Sequence, residues 1–163
     1  MRIGRTVAIV VASLLVAGFG TAAFAQVHHE VALTRAEIAA ERQAIVAANL
    51  PMPEEQSKAF WPVYREYRGA LAKVGDRFVS LVENYAKSYE KMTDAQAQPI
   101  IDEMFAIQKE ELKIKMDWLP KLGKVLPPAT LARFLQIENK LDAIIRFELA
   151  DEIPLVEPAP KGK

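Results

Sequence analysis

Two adjacent histidines, His28 and His29, are the only imidazole side chains in the sequence. If the mature chain begins at Gln26, His28 is its third residue. A terminal amine, two deprotonated backbone amides and an imidazole at this spacing form a square-planar set of nitrogens suited to Cu(II) or Ni(II). His28 and His29 are therefore candidate ligands for Cu(II), Ni(II) or Zn(II). A chance pair of histidines on a flexible segment, with Gln26 cyclised and its amine lost, is the alternative.

The rest of the sequence lacks the usual residues of a catalytic site. There is no cysteine to act as a nucleophile, and no histidine lies in the body of the chain to act as a base at neutral pH. The G-x-S-x-G, P-loop and G-x-G-x-x-G motifs are missing. Carboxylate pairs such as Glu110–Glu111 and Asp151–Glu152 fit the solvated face of a helix. We therefore expect a protein that is not an enzyme and has no organic cofactor.

The first 25 residues have the layout of a secretory signal peptide. Arg2 and Arg5 precede a long apolar run, which ends in "AFA" with Ala23 and Ala25 at the small-residue positions of a cleavage site. An uncleaved membrane anchor is the alternative, although the run is near the lower limit of ~17 residues for a spanning helix. The sequence predicts an exported, periplasmic protein, cleaved after Ala25 and without stable membrane insertion afterwards. The mature part would comprise a flexible N-terminus (26–33), a single helical domain (34–151) and a disordered tail (152–163).

The charge of the mature chain argues against nucleic acid as a partner. Loss of the signal peptide leaves 19 basic against 21 acidic residues, and no basic stripe is present. Cysteine is absent, so an exported chain of this kind would depend on packing alone for its stability.

Hydrophobic spacing and helix-boundary residues predict an all-α protein. Glycine is scarce after the signal peptide, and strand-type alternation is missing. Thr34 with Glu37 and Thr93 with Gln96 fit capping boxes at helix starts, and prolines mark the other boundaries. The predicted architecture is an elongated hairpin or bundle of four helices at about 35–49, 53–91, 94–125 and 128–150. We expect it to be dimeric.

The second and third predicted helices carry large apolar residues at heptad spacing, which is typical of helices that pack side by side. Helix two cannot leave such a ridge in water, so it must pack on helices three and four or on a second copy of the chain. On helix two the ridge is Phe60, Tyr64, Tyr67, Leu71, Val74, Phe78, Leu81 and Tyr85. On helix three the ridge is Ile101, Phe105, Gln108, Leu112, Met116 and Leu119, which is apolar except for Gln108 and follows the heptad spacing with one slip.

Aromatic residues beside these ridges are candidates for a binding surface. Trp61 lies off the ridge of helix two, and Trp118 lies off that of helix three. Aromatic and arginine side chains are the usual anchors of protein-binding surfaces. We therefore predict a client-binding surface that consists of Trp61, Arg65, Arg68, Lys115 and Trp118.

The order of helices and their starting motifs resembles the Spy/CpxP-type periplasmic proteins, which carry a repeated LTxxQ motif. The matching segments are "LPMPEEQ" and "VLPPATLARFLQ", with "MTDAQAQPIIDEMFAIQKEELKIKM" between them. Met52 stands where the family has its capping Thr, and the second copy lacks Gln at the expected place. The chain is also similar to an uncharacterised group of exported proteins through "FWPVY" and "ARFLQIENKLDAI".

The resemblance implies a thin, curved helical dimer that acts as an ATP-independent chaperone or in envelope stress signalling. The leading hypothesis is accordingly a non-enzymatic, chaperone-like protein that binds unfolded or partner proteins in the periplasm. The alternatives are a metal-responsive binding protein that uses His28 and His29, and a regulatory partner of a membrane sensor.

Overall fold

The computed structural model describes residues 40–156, which are almost entirely helical and include no strand. The predicted all-α class is confirmed for this part of the chain. The second and third helices end earlier than predicted, at 86 and 122 where the sequence indicated about 91 and 125. The helices are α1, described over 40–49, α2 (Glu54–Ala86), α3 (Asp94–Leu122) and α4 (Pro128–Glu152), and a 3₁₀ turn (Tyr89–Lys91) follows α2.

The described residues divide into two compact units, and the single domain over 34–151 stays a prediction. The described residues of the first unit are 40–51 and 132–153, so this unit contains α1 and most of α4. The described residues of the second unit are 52–131 and 154–156, and its main elements are α2 and α3.

In the second unit, the heptad ridge of α2 faces the interior as predicted. Val74 and Leu81 from α2 pack with Ile107 from α3, and Phe78, Ile100 and Ile114 lie against this cluster. Burying each large side chain contributes roughly 1.5–3 kcal/mol, so the ridge is a main source of stability for the α2–α3 pair. The buried members of the ridge are Phe60, Tyr64, Tyr67, Leu71, Val74 and Leu81.

The third helix buries a different face from the one that its ridge predicted. Its buried residues are Ile107, Trp118 and Leu122, while the predicted ridge from Ile101 to Leu119 is exposed. Two apolar stripes lie side by side on this helix, and only one of them can face α2. The stripe that contains Trp118 is the one that packs against α2. The Trp118 ring lies against Tyr67 of α2, with 6.1 Å between the ring centroids.

Local sequence signals explain where α3 begins. The backbone amide of Thr93 donates to Gln96 Oε1 at 3.0 Å, and the amide of Gln96 donates to Thr93 Oγ1 at 3.4 Å. This reciprocal capping box satisfies two amides that a helix start leaves open, and it confirms the predicted start.

The first unit joins α1 to α4 through apolar contacts and one buried ion cluster. Val46, Leu50 and Phe134 are almost completely buried. Beside them, Arg42 of α1 donates to Glu138 Oε2 at 2.8 Å and to Asp142 Oδ1 at 2.6 Å. Arg42 and Glu138 are only 4% and 3% exposed, so this cluster is held in the interior by its own hydrogen bonds.

Several predictions concern parts of the chain outside residues 40–156. The signal peptide, the flexible segment 26–33, the Thr34–Glu37 capping box and the end of the tail belong to this group. Within 40–156, no helix has the length and apolar character needed to cross a membrane.

Candidate functional site

The outward side of α3 carries a row of large apolar side chains, interrupted by Gln108, which we call the exposed α3 face. Its members are between 37% and 60% exposed, and they extend over about 27 Å of helix at 1.5 Å per residue. Monomeric proteins rarely expose large contiguous apolar patches unless these bind something. The exposed α3 face consists of Ile101, Met104, Phe105, Leu112, Met116 and Leu119.

Charged side chains border this face along α3. Asp102, Lys109 and Lys113 are exposed on one side of it. On the other side, Lys115 Nζ donates to Glu111 Oε1 at 2.6 Å, and both side chains are partly buried. The arrangement is an apolar strip with a charged rim, which is the usual anatomy of a protein-binding surface.

Contacts on the opposite side of α3 attach this helix to α2. Trp118 packs inward on Tyr67, and Lys121 Nζ lies 3.8 Å from the centroid of the Trp118 ring. Arg77 of α2 donates to Glu103 through Nε at 2.9 Å and Nη2 at 3.0 Å, and it also contacts Glu110. These contacts bind α3 to α2 along much of its length, so the exposed α3 face is presented on a supported helix.

Three of the predicted client-binding residues lie together on α2. Trp61, Arg65 and Arg68 follow one another at steps of four and three residues, which places them on one helix face. Trp61 is half-buried, and its Nε1 donates to Ser57 Oγ at 2.9 Å. Arg65 is exposed and Arg68 is half-buried. A binding role for these residues stays a prediction.

The other two predicted client-binding residues belong to α3. Trp118 is only 9% exposed, so its ring is not available at the surface where the sequence placed it. It is buried because its indole packs against Tyr67 in the α2–α3 interface. Lys115 lies at the border of the exposed α3 face and is bonded to Glu111. A role for Lys115 in binding stays a prediction.

The predicted metal ligands His28 and His29 lie outside the described residues. Among residues 40–156, no group of three or more histidine, aspartate or glutamate side chains is placed to hold a metal ion. The predicted site for Cu(II), Ni(II) or Zn(II) therefore stays a prediction about the N-terminal segment.

A groove of about 750 Å³ lies between the C-terminal half of α2 and the start of α3. Its polar lining includes Arg77, Ser80, Asn84, Gln96 and Glu103. Arg77 and Glu103 are already bonded to each other across it. No histidine is among the lining residues, and the groove is therefore a weaker candidate than the exposed α3 face.

The Arg77–Glu103 pair makes the stability of the second unit sensitive to acid. The hydrogen bond from Arg77 holds the pKa of the Glu103 carboxyl below its ordinary value of 4.5. The same bond raises the pKa of the Arg77 guanidinium. A carboxyl whose pKa is depressed by folding contributes stability above its unfolded pKa, and the contribution is lost as the pH falls through the folded value.

We therefore expect Glu103→Gln to lower the free energy of unfolding at neutral pH. The free energy of unfolding of this variant should then fall less in acid than that of the wild type. Urea denaturation followed by circular dichroism, at neutral pH and below pH 4.5, measures both effects. Asp102→Asn is the matched control, because the neighbouring Asp102 is exposed and accepts a hydrogen bond from Gln98 on its own helix. Equal acid sensitivity of wild type and Glu103→Gln would contradict this assignment.

Comparison of the chain with protein-family models, with curated proteins and with solved structures finds no match. The exposed α3 face is therefore interpreted from its own residues and their surroundings.

Proposed function

We propose that this chain is a non-enzymatic, chaperone-like protein that binds apolar segments of unfolded or partner proteins on the exposed α3 face. It would act without ATP in the periplasm, in the manner of the Spy/CpxP-type proteins that its helix-start motifs resemble. The observation that carries the proposal is the row of six large apolar side chains left open to solvent on a supported helix.

The composition of the face suits clients of varied sequence. Met104 and Met116 have flexible, polarisable side chains, which adapt to differently shaped apolar partners. Phe105 and Leu112 lie between these two methionines and supply less flexible apolar anchors. The mixed charges of the rim accommodate either sign in the client. These properties favour weak, adaptable binding over recognition of one fixed structure.

The test is suppression of aggregation of a chemically unfolded client by the 26–163 chain at equal molar ratio and without ATP, followed by light scattering. We expect the wild type to suppress scattering. A triple variant with Phe105→Gln, Leu112→Gln and Met116→Gln should lose most of this activity, because it replaces the most exposed apolar groups of the face. Glutamine has good helix propensity, so α3 should be preserved.

The matched control changes three exposed apolar residues elsewhere, with Phe147→Gln, Leu155→Gln and Val156→Gln. It should suppress aggregation as well as the wild type does. Circular dichroism verifies that both triple variants keep their helices. A wild type without activity, or equal losses in the two variants, would refute the assignment of client binding to this face.

The two alternative functions make different demands on the chain. A metal-responsive protein would depend on His28 and His29, and a regulatory partner of a membrane sensor would bind one dominant protein. Neither alternative requires the exposed α3 face to bind many different clients, so the aggregation assay with its matched variants separates them from the proposed function.

A further inference from the structure

The exposed α3 face offers side chains, and no backbone groups, to a partner. The backbone amides and carbonyls of α3 bond to one another along the helix, so a client cannot add to it as a strand adds to the edge of a sheet. An extended segment on this face would place its own amides and carbonyls against apolar side chains, where they find no hydrogen-bond partner. A helical segment bonds its backbone groups internally and presents only side chains to the face.

The spacing of the face also fits a helix. Phe105, Leu112 and Leu119 recur at steps of seven, and Ile101 and Gln108 form a second series with the same step. Side chains with this period enter the gaps between the side chains of a helix that has the same period. The face extends over about 27 Å, which corresponds to a helical segment of about 18 residues at 1.5 Å per residue.

Two polar side chains in the middle of the face are available to a partner. Gln108 lies within the apolar row and Lys109 lies beside it, and both are exposed. Within residues 40–156, neither side chain takes part in a hydrogen bond or an ion pair, whereas Lys113 and Lys115 are paired with acidic residues of α3. A carboxylate opposite Gln108 would accept a hydrogen bond from its amide and would pair with the Lys109 ammonium. An apolar side chain at that level would leave the amide covered and unsatisfied, which weakens binding.

We propose that the client segment of the exposed α3 face is an amphipathic helix of about 18 residues, with apolar side chains at heptad spacing and an acidic side chain at the level of Gln108. The proposal rests on the proposed function, because it names the class of segment that the same face binds. The apolar side chains of the client can vary, since methionine adapts to different partners. The preference for an acidic side chain applies at the level of Gln108 and Lys109, because Lys113 and Lys115 already have acidic partners.

Three fluorescently labelled peptides test the conformation and the charge of the client. The first has leucine at heptad spacing over about 18 residues and glutamate at its central heptad position. The second has leucine in place of that glutamate. The third has the residues of the first, rearranged into strict alternation of apolar and polar side chains. Fluorescence anisotropy measures their binding to the 26–163 chain. We expect the first peptide to bind about tenfold more tightly than either of the others and to gain helical circular dichroism when it binds.

Substitution of Gln108 and of a matched glutamine assigns this preference to the face. Gln108→Leu should reverse it, so that the leucine-centred peptide binds more tightly than the glutamate-centred one. Gln136→Leu is the control, because Gln136 is an exposed glutamine on a different helix, α4, and it should keep the wild-type preference. The triple glutamine variant of the exposed α3 face should bind none of the peptides.

Three results would overturn the proposal. Equal binding of the first two peptides by the wild type, or an unchanged preference in Gln108→Leu, would remove the acidic side chain from it. Binding of the alternating peptide as tightly as the first would remove the helix. Light scattering tests a second copy as the occupant: a dimer that the triple variant abolishes, and that the first peptide does not dissociate, would show that another copy covers the face.

The peptide and aggregation assays fail independently of each other. If suppression of aggregation depends on the face but the alternating peptide binds as tightly as the first, the proposed function stands and the helical client is refuted. If the first peptide binds at the face with the expected preference but the chain does not suppress aggregation, the helical partner stands and the proposed function fails.

Discussion

Replacing Arg42 with methionine is expected to lower the free energy of unfolding by about 3–5 kcal/mol, because the change removes the cation that bonds to two carboxylates inside the first unit. The guanidinium of Arg42 bonds to Glu138 and Asp142 inside the first unit, and Glu138 is as deeply buried as Arg42 itself. Urea denaturation of the 26–163 chain, followed by circular dichroism at neutral pH, measures the change.

The joint replacement distinguishes a buried charge from a loss of packing. With Arg42→Met, Glu138→Leu and Asp142→Leu together, the whole ion cluster becomes apolar, and much of the lost stability should return. Arg65→Met is the control for the change of residue type, because Arg65 is exposed on α2; it should alter the free energy of unfolding by no more than about 0.5 kcal/mol. A single Arg42 variant as stable as this control would show that the cluster is not required for the fold.

The second large effect is expected at Phe60, where substitution by alanine should cost about 3–5 kcal/mol. Phe60 has no exposed surface. Its ring lies 5.0 Å from that of Trp61 and 5.6 Å from that of Tyr64, measured between centroids. Alanine would leave a cavity at this end of the α2 ridge. Denaturation followed by tryptophan fluorescence suits the measurement, because Trp61 is in contact with the altered site.

Phe147→Ala is the matched control for Phe60→Ala. Phe147 is also a helical phenylalanine, but it is 76% exposed on α4, so its removal should leave the free energy of unfolding within about 0.5 kcal/mol of the wild-type value. Similar costs at the two positions would mean that the α2 ridge is not the interior of its unit.

The sequence was sufficient to identify the helices and the packed side of α2. The ridge from Phe60 to Tyr85 has no competing apolar stripe of similar strength, so the heptad spacing indicated the buried face correctly. Thr93 and Gln96 likewise marked the start of α3, because a capping box depends only on neighbouring residues. Such local signals can be read from the sequence because all the residues that form them lie within a short segment.

The packed side of α3 could not be read in the same way. Phe105 and Leu112 belong to one stripe, while Ile107 and Trp118 belong to another, and both stripes have helical spacing. Which stripe is buried depends on the partner helix, because Trp118 fits against Tyr67 of α2. The choice is therefore made by tertiary packing, and it buries Trp118 in the α2–α3 interface.

The ion cluster of the first unit was also missed. Glu138 and Asp142 are four residues apart on α4, and apolar residues surround them in the sequence. That spacing was the available signal, since it places two carboxylates side by side on a helix. Their partner, Arg42, is 96 residues from Glu138 in the sequence, and no local pattern connects the two.

The methionines of the exposed α3 face make the protein sensitive to oxidants. Oxidants convert an accessible thioether to a sulfoxide, which is polar where methionine was apolar. Met104 and Met116 are exposed, whereas Met52 and Met92 are half-buried, and the chain has no thiol that would react first. Oxidative damage to the described part of this protein therefore falls first on its most apolar exposed surface, and a reductase that repairs sulfoxides would restore that surface without new synthesis of the chain.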